Sequence, residues 1–511
     1  MRKSLPPGFR SPPRGTISEV RIPRPGRDGM EELLRAALGV AGAAGASYAD
    51  ARIAAPERYV YLAVRDGAAS ALTDSRAEGL GVRVRTERAW GYAATTELTA
   101  PAARATARLA VRLARAAGRH ARERLRVTEE RGPTAGRYAS PVRRDPFEVP
   151  REEIIELLRT AEARLHVGPD VKSGVASFQA WRSTKWFASS DGAAYRSEIV
   201  HVGAGIAATA VRGGLVQRRS APTSFGGDYG QAGFEFVEGL GLPERAEAIG
   251  REAVALLDAP VCPTGRSTLV LGSDQLALQV HESIGHAVEL DRIFGSEAGY
   301  AGTSWVRPET IGRLRYGSPL LQVVADATEP VGLGTFGWDD EGVPAQRTPI
   351  IESGILTGVL SSRESAAQLG LARSGGTARA DGPDRSPLVR MTNVDLLPGE
   401  LSRDELLEDI DEGVYLETNR SWSIDDKRLN FQFGTEIGRR IHRGELGELV
   451  RNPIYAGMTP EFWASLDAVA NRSTWHLWGI PNCGKGQPAQ SARVSHGAPV
   501  ARFRDVAVRG G

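Results

Sequence analysis

Residues 273–291 read Ser273-Asp-Gln-Leu-Ala-Leu-Gln-Val-His281-Glu282-Ser-Ile-Gly285-His286-Ala-Val-Glu289-Leu-Asp291. A short buried strand, Ser267–Gly272, precedes this run, and the run itself predicts a helix from about Ser273 to Leu290. Two of the chain's eight histidines lie here, five residues apart, and a glutamate directly follows the first. In the common H-E-x-x-H zinc signature the histidines sit at i and i+4, on one helix face, and the glutamate is placed to activate water. Here one residue is added. Five steps of about 100° turn the second imidazole roughly 140° away from the first on a regular α-helix, so the two could not share an ion. A π-bulge or a break between them would restore the alignment, and Gly285 is the expected place for it. The alternative reading of the same residues is a pair of ordinary polar side chains on a partly buried helix.

A catalytic zinc site needs at least one more protein ligand. Glu289 and Asp291 are the local candidates. The remote one is Cys483, in Gly479-Ile-Pro-Asn-Cys483-Gly-Lys-Gly486-Gln-Pro, where glycine and proline predict a tight loop and Lys485 could favour the thiolate. Cys262, in Ala-Pro-Val-Cys-Pro-Thr-Gly, is assigned to packing.

Around this segment the 511-residue chain reads as α+β. Residues 30–118 predict an N-terminal α/β region: a helix at 30–46, strands at 48–53, 58–64, 80–85 and 90–95, and an Ala-rich helix at 101–117. Residues 119–149 read as a linker. Residues 150–240, a helix starting at Pro150 and an antiparallel meander over 172–219, complete that domain as a mixed sheet with helices on it. Residues 241–511 form a larger domain rich in antiparallel strands, which carries the His-Glu helix. Residues 1–29, with six prolines and six arginines, read as a disordered extension or a mis-assigned start ahead of Met30.

Composition narrows the function class. Sixty-four basic residues face 62 acidic ones, a net charge of +2, which gives no footing for bulk nucleic-acid binding. Two cysteines exclude a disulfide framework and suit a reducing, cytoplasmic setting. No apolar run approaches the roughly 18 residues of a membrane helix.

The combination of His281-Glu282-x-x-x-His286 with a late Cys483-Gly-Lys resembles the TldD/PmbA family, also called modulators of DNA gyrase, on its metal-bearing TldD branch. Further segments carry the likeness: Tyr48-Ala-Asp-Ala-Arg-Ile, Gly81-Val-Arg-Val with Trp90-Gly-Tyr, Gly213-Gly-Leu-Val-Gln-Arg-Arg-Ser220 and Arg390-Met-Thr-Asn-Val394. The resemblance implies a zinc-dependent peptidase acting on unstructured peptides, with ligands at His281, His286 and Cys483 and a general base at Glu282. It also implies one zinc per active subunit and assembly with a PmbA/TldE-like paralogue or with a second copy. Glu289 and Asp291 are expected behind the ligands, each holding the far nitrogen of an imidazole. Arg218, Arg219, Arg390 and Asn393 are expected to pair structurally with carboxylates, with substrate holding as the alternative, and Trp475 and Trp478 either to join the core or to wall the cleft. The loop C-G-K-G-Q-P is more compact than the family's, Leu416–Ile480 differs from the family's glycine-rich run toward the cysteine, and Glu417–Asp426 stands where an activating turn is expected. These departures motivate the alternative of a non-catalytic peptide-binding or scaffold subunit. A zinc hydrolase acting on a non-peptide amide is a third possibility.

Overall fold

The computed structural model describes residues 27–129 and 134–511, without the side chains of 27 and 28. The extension expected at 1–29 therefore lies outside the described residues, apart from Arg27–Gly29, where the first helix begins.

The N-terminal sheet is built on two long hairpins. Strands β1 (Tyr48–Arg65) and β2 (Ala68–Arg85) pair antiparallel, followed by β3 (Trp90–Thr95), β4 (Ala135–Ala139), β5 (Val171–Ser189), β6 (Ala194–Arg212), β7 (Leu215–Ala221) and β8 (Asp228–Gly230). The order is β3-β2-β1-β5-β6-β4, with β7 and β8 also on β6. All pairs are antiparallel except β4 with β6, so the sheet is mixed. Strands from both sides of residues 119–149 share it, and that segment contributes β4.

β1 is one strand where the sequence suggested two. A bulge between Ala54 and Glu57 absorbs the Ala-Pro interruption and shifts the side-chain parity. The helix-facing series accordingly changes from Ala49, Ala51 and Ile53 to Val60, Leu62 and Val64. The first half of β2, Ala68–Glu78, is exposed and polar and shows no alternation, so periodicity misses it. Its conformation is imposed by the β1 ladder through a turn at Asp66-Gly67, both at positive φ (50° and 79°). Helices α1 (Arg27–Ala43) and α2 (Ala100–Gly118) cover one end of the sheet, and α3 (Arg151–Leu165) with the helix Leu242–Asp258 covers the other.

The C-terminal part is strand-rich. Gly265–Leu271 pairs parallel with Glu412–Ile424 and antiparallel with Ala501–Gly510. The sheet continues through Pro453–Met458 to Asn430–His442, which pairs back with Glu412–Ile424 and closes a barrel. Helix Thr459–Ala464 stops before Leu466–Val469, which joins the barrel edge as a strand. The sequence-based class, α+β with the His-Glu helix in the strand-rich part, holds.

The His-Glu segment leaves the end of strand Gly265–Leu271 through Gly272 and starts the helix Ser273–Val280. Gln275 donates to the Tyr455 hydroxyl (2.9 Å), which in turn donates to Gln279 (2.9 Å), tying this helix to the barrel. Leu276 and Val280 of this helix, with Ile284 just beyond it, join Phe431, Phe433, Tyr455 and Phe503 in the main core. The N-terminal sheet docks through buried charge: Arg83 bridges Asp50 (2.7 Å) and Glu341 (2.8 Å).

One buried carboxyl sets a pH dependence. Asp395 sits in strand Val394–Leu396 and accepts from Gly497 N (2.6 Å). Burial pushes its carboxyl up to about 8. A group raised on folding stabilises fully below its unfolded pKa, about 3.9, and that contribution is lost as pH rises toward the folded value. Urea midpoints of the parent should therefore fall from pH 5 to pH 8 more steeply than those of Asp395→Asn. Parallel slopes would remove Asp395 as the cause.

Candidate metal centre

Helix Ser273–Val280 does not continue regularly. Residues His281–Gly285 form a π-helical turn in which His286 N–H donates to the His281 carbonyl. A single turn of 3₁₀ helix, His286–Val288, follows, then an extended residue at Glu289 (ψ 117°) and a new helix from Leu290. The wider turn takes up the extra residue of H-E-x-x-x-H and returns both imidazoles to one side, ring centres 4.8 Å apart at 84°. Gly285 occupies this turn for a different reason from the one expected. Its backbone is ordinary right-handed helix (φ −50°, ψ −56°), but a Cβ there would lie 2.1 Å from the Met391 sulfur.

Cys483 lies in a strand, not the tight loop expected. Strand His476–Lys485 pairs with Gln490–Ala498. Pro481 and Asn482 break the register between Ile480 and Cys483, and pairing resumes with Cys483 opposite Ala492. The ligand atoms of His281, His286 and Cys483 all lie within 4.8 Å of one another, and all three residues are buried. His286 Nε2 is 3.5 Å from Cys483 Sγ. Zinc bonds of about 2.0–2.1 Å to nitrogen and 2.3 Å to sulfur, at a tetrahedral angle, require about 3.6 Å between those atoms. The donor set fits zinc.

Hydrogen bonds fix which nitrogens are free. His496 Nδ1 is 2.8 Å from the Val394 carbonyl oxygen, which can only accept, so Nδ1 carries the proton. Burial, then the neighbouring His281, hold His496 well below the usual imidazole range, so it is neutral and its Nε2 accepts. That Nε2 is 2.7 Å from His281 Nδ1, which must donate. His281 Nε2 is left with its lone pair. On the other ring, His286 Nδ1 donates to Glu289 Oε2 at 3.0 Å, leaving Nε2 toward Cys483. Burial lowers His281 to about 4 and also lowers His286, which favours the neutral form that ligation needs. For Cys483, burial opposes the thiolate, but attraction to the His286 imidazole in its charged form and to Arg390 outweighs it and brings the thiol below its ordinary range.

Several expectations change here. Glu289 takes the place behind His286, but Asp291 does not reach His281. The extended residue at Glu289 carries Asp291 to Lys485 Nζ, at 2.7 Å. The group behind His281 is His496, which nothing local in the sequence marked. Lys485 does not act on the Cys483 sulfur either: fully buried, it bonds Asp291, Glu289 (3.2 Å) and the Val389 carbonyl (2.7 Å). Arg390 is the cation nearest that role, and it also donates to the Cys483 carbonyl. Arg219 pairs with Glu252 and Glu436, Arg218 reaches Ser220 and Glu436, and Asn393 braces residues 326–335. Trp478 bonds Ser273 and packs on the main core, while Trp475 bonds the Leu396 carbonyl. Cys262 is a buried core residue whose thiol burial pushes up to about 11.

Glu282 is buried beside the three residues, and its Oε2 accepts from Arg428 Nη1 at 2.7 Å. Arg428 stands at φ 63° in the turn joining Glu412–Ile424 to Asn430–His442. Asp425 ties that turn from within, accepting from Arg428 N (2.9 Å) and Leu429 N (2.8 Å), and Thr303 and Trp305 bond it from outside.

With this fold and site the chain belongs to the PmbA/TldD metallopeptidase family. Residues 57–114 match the PmbA/TldA metallopeptidase domain 1, 144–258 the central domain and 264–510 the C-terminal domain. A metalloprotease of Methanothermobacter thermautotrophicus is 32% identical over 466 residues, 91% of this chain and 95% of that one. A zinc metalloprotease TldD homolog of Saccharolobus solfataricus is 28% identical over 247 residues, 48% of this chain and 52% of the relative. The crystal structure of TldE from Thermococcus kodakarensis shares the fold, with a TM-score of 0.71 at 15% identity, covering 94% of this chain and 100% of that one. Among the described residues no helix is long and apolar enough to cross a membrane.

Proposed function

We propose that this chain is a zinc-dependent peptidase that hydrolyses unstructured peptides, with His281, His286 and Cys483 as ligands and Glu282 as general base. The observation that carries the reading is the meeting of two lone-pair Nε2 atoms and one thiol around a common centre, beside a buried carboxylate. Zinc held by His281, His286 and Cys483 would supply Lewis acidity, making water acidic near neutral pH and drawing charge from the scissile carbonyl. Glu282 accepts the proton of the attacking water and delivers it to the leaving amine. Arg428 holds Glu282 by one oxygen, which leaves the other to meet the water. His496 and Glu289 fix the orientation and tautomer of the two imidazoles. A cytoplasmic setting and pairing with a TldE-like subunit or a second copy complete the proposal. The TldE likeness and the family's membership support the pairing.

Zinc per chain and cleavage of a fluorogenic unstructured peptide test it together. One zinc with cleavage supports the peptidase. A metal-free chain that binds the peptide without turnover selects the scaffold alternative, and cleavage confined to non-peptide amides selects the third. His496→Ala should weaken zinc binding about 10–100-fold, read by competition with a chelator. Unchanged affinity would remove His496 as the group that orients His281.

A further inference from the structure

A second polar feature lies next to Cys483. A cavity opens between the N-terminal sheet, at Ser183, Lys185 and His201, and the hairpin that carries Cys483, at Gln490 and Arg493. It holds about 80 Å³ of free space, against the roughly 10–15 Å³ that one water requires. Three arginines line it: Arg379, Arg390 and Arg493. Arg390 is 1% exposed and donates to the Cys483 and Gln490 carbonyls. Arg379 donates to the Met391 carbonyl (2.9 Å), and Arg493 Nε to His201 Nδ1 (3.0 Å). Each of those two has that single hydrogen-bond partner among the described residues, out of five N–H groups.

The carboxylates around the cavity are engaged elsewhere. Asp340 is bound by Lys185 (2.5 Å), with Arg52 at 3.8 Å. Asp339 accepts three backbone N–H groups, from Glu341, Val343 and Ala378. Asp381 accepts from Ser491 N (2.8 Å) and Glu57 from the Ser183 hydroxyl (3.2 Å). Among the described residues, no carboxylate oxygen comes within 4.0 Å of any nitrogen of the three guanidinium groups. Arg390 is buried and Arg379 and Arg493 are half-buried; Arg390 and Arg493 repel Arg379, while Asp381 and Glu57 attract Arg493 without touching it. Burial first, then repulsion by Arg390 and Arg493, push Arg379 down to about 10 against the attraction of Asp340 and Cys483. An anion entering the cavity would relieve that repulsion.

We propose that this cavity is a carboxylate pocket that seats the C-terminal carboxylate or an Asp/Glu side chain of the peptide beside the metal centre. The proposal rests on the peptidase reading. The planar forks of arginine suit a carboxylate. The acidic rim of Asp340, Asp381 and Glu57 disfavours an ion of higher charge, such as a phosphate. The pocket is adjacent to the cleavage site, because Ala492, opposite Cys483 in the ladder, lines it and Arg390 touches the Cys483 carbonyl.

Binding is measured by fluorescence anisotropy on zinc-loaded Glu282→Gln protein, with three dye-labelled unstructured peptides. One is neutral and amidated, one has a free C-terminus, and one is amidated with a single internal Glu. At least one carboxylate peptide should bind about tenfold or more tighter than the neutral one. Which one does so identifies the source of the anion. The preference should collapse in Arg493→Gln and partly survive in Arg493→Lys. Arg379→Gln gives the same comparison from another wall if Arg493→Gln fails to fold. Equal affinity for all three peptides overturns the pocket, as does a preference untouched by both glutamine variants. Cleavage by the wild-type protein is read in parallel. Equal cleavage of all three peptides without any binding preference sinks the pocket and leaves the peptidase standing. Preferential binding without cleavage of any of them sinks the peptidase and leaves the pocket.

Discussion

Glu282→Gln is expected to lose peptide cleavage by about 10²–10⁴-fold while keeping its zinc. The side chain is buried and its Oε2 is held by Arg428 at 2.7 Å. An amide oxygen can keep that bond, so the variant retains the shape of the site. It cannot take up a proton at neutral pH, and that is the one function removed. Steady-state cleavage of a quenched peptide, with metal content measured on the same sample, separates the possibilities. Full activity with full zinc would remove Glu282 as the base. Loss of both would show that the carboxylate supports the metal rather than the proton transfer.

Lys485→Met should cost about 3–5 kcal/mol of stability in urea unfolding. Lys485 is completely enclosed, between Asp291 at 2.7 Å and Glu289 at 3.2 Å. Burial alone would raise Glu289, but Lys485 and His286 overcome it and hold that carboxyl well below the ordinary range. Removing the ammonium leaves the half-buried Asp291 without its cation and beside Glu289, which among the described residues keeps only Arg292 (3.0 Å) and His286. Arg251→Ala gives the contrast: its partner Glu247 sits one helical turn away and both side chains are exposed, so the change should be within about 0.5 kcal/mol. A cost below about 1 kcal/mol for Lys485→Met would mean the three charges are not coupled as the distances indicate.

What was legible in the sequence follows the range of the interactions. The five-residue spacing of His281 and His286 demanded an irregular helix, and the π-turn at His281–Gly285 is that irregularity. Spacing is a local property, so one stretch of sequence carries it. Glu289 was within reach for the same reason, three residues from His286. Asp291 misled because the extended residue at Glu289 redirects the chain, and a backbone switch of that kind leaves no periodic trace.

His496 lies 215 residues from His281 in a strand that carries no metal-ligand spacing. Arg428 sits in a hairpin turn, brought to Glu282 by the closure of the barrel between Glu412–Ile424 and Asn430–His442. Neither placement has a spacing to read. The fold class was readable from alternation and helical periodicity. The exposed half of β2 was not, because hydrogen bonding to β1, and not side-chain burial, holds it in place.

In the proposed site two imidazole nitrogens and one sulfur share a zinc ion. X-ray absorption at the zinc edge of the purified protein tests it most directly. One zinc per chain is expected, with a single sulfur scatterer at about 2.3 Å and nitrogen or oxygen scatterers at about 2.0–2.1 Å, and loss of the sulfur signal in Cys483→Ser. A zinc shell without sulfur, or one unchanged by Cys483→Ser, would contradict it.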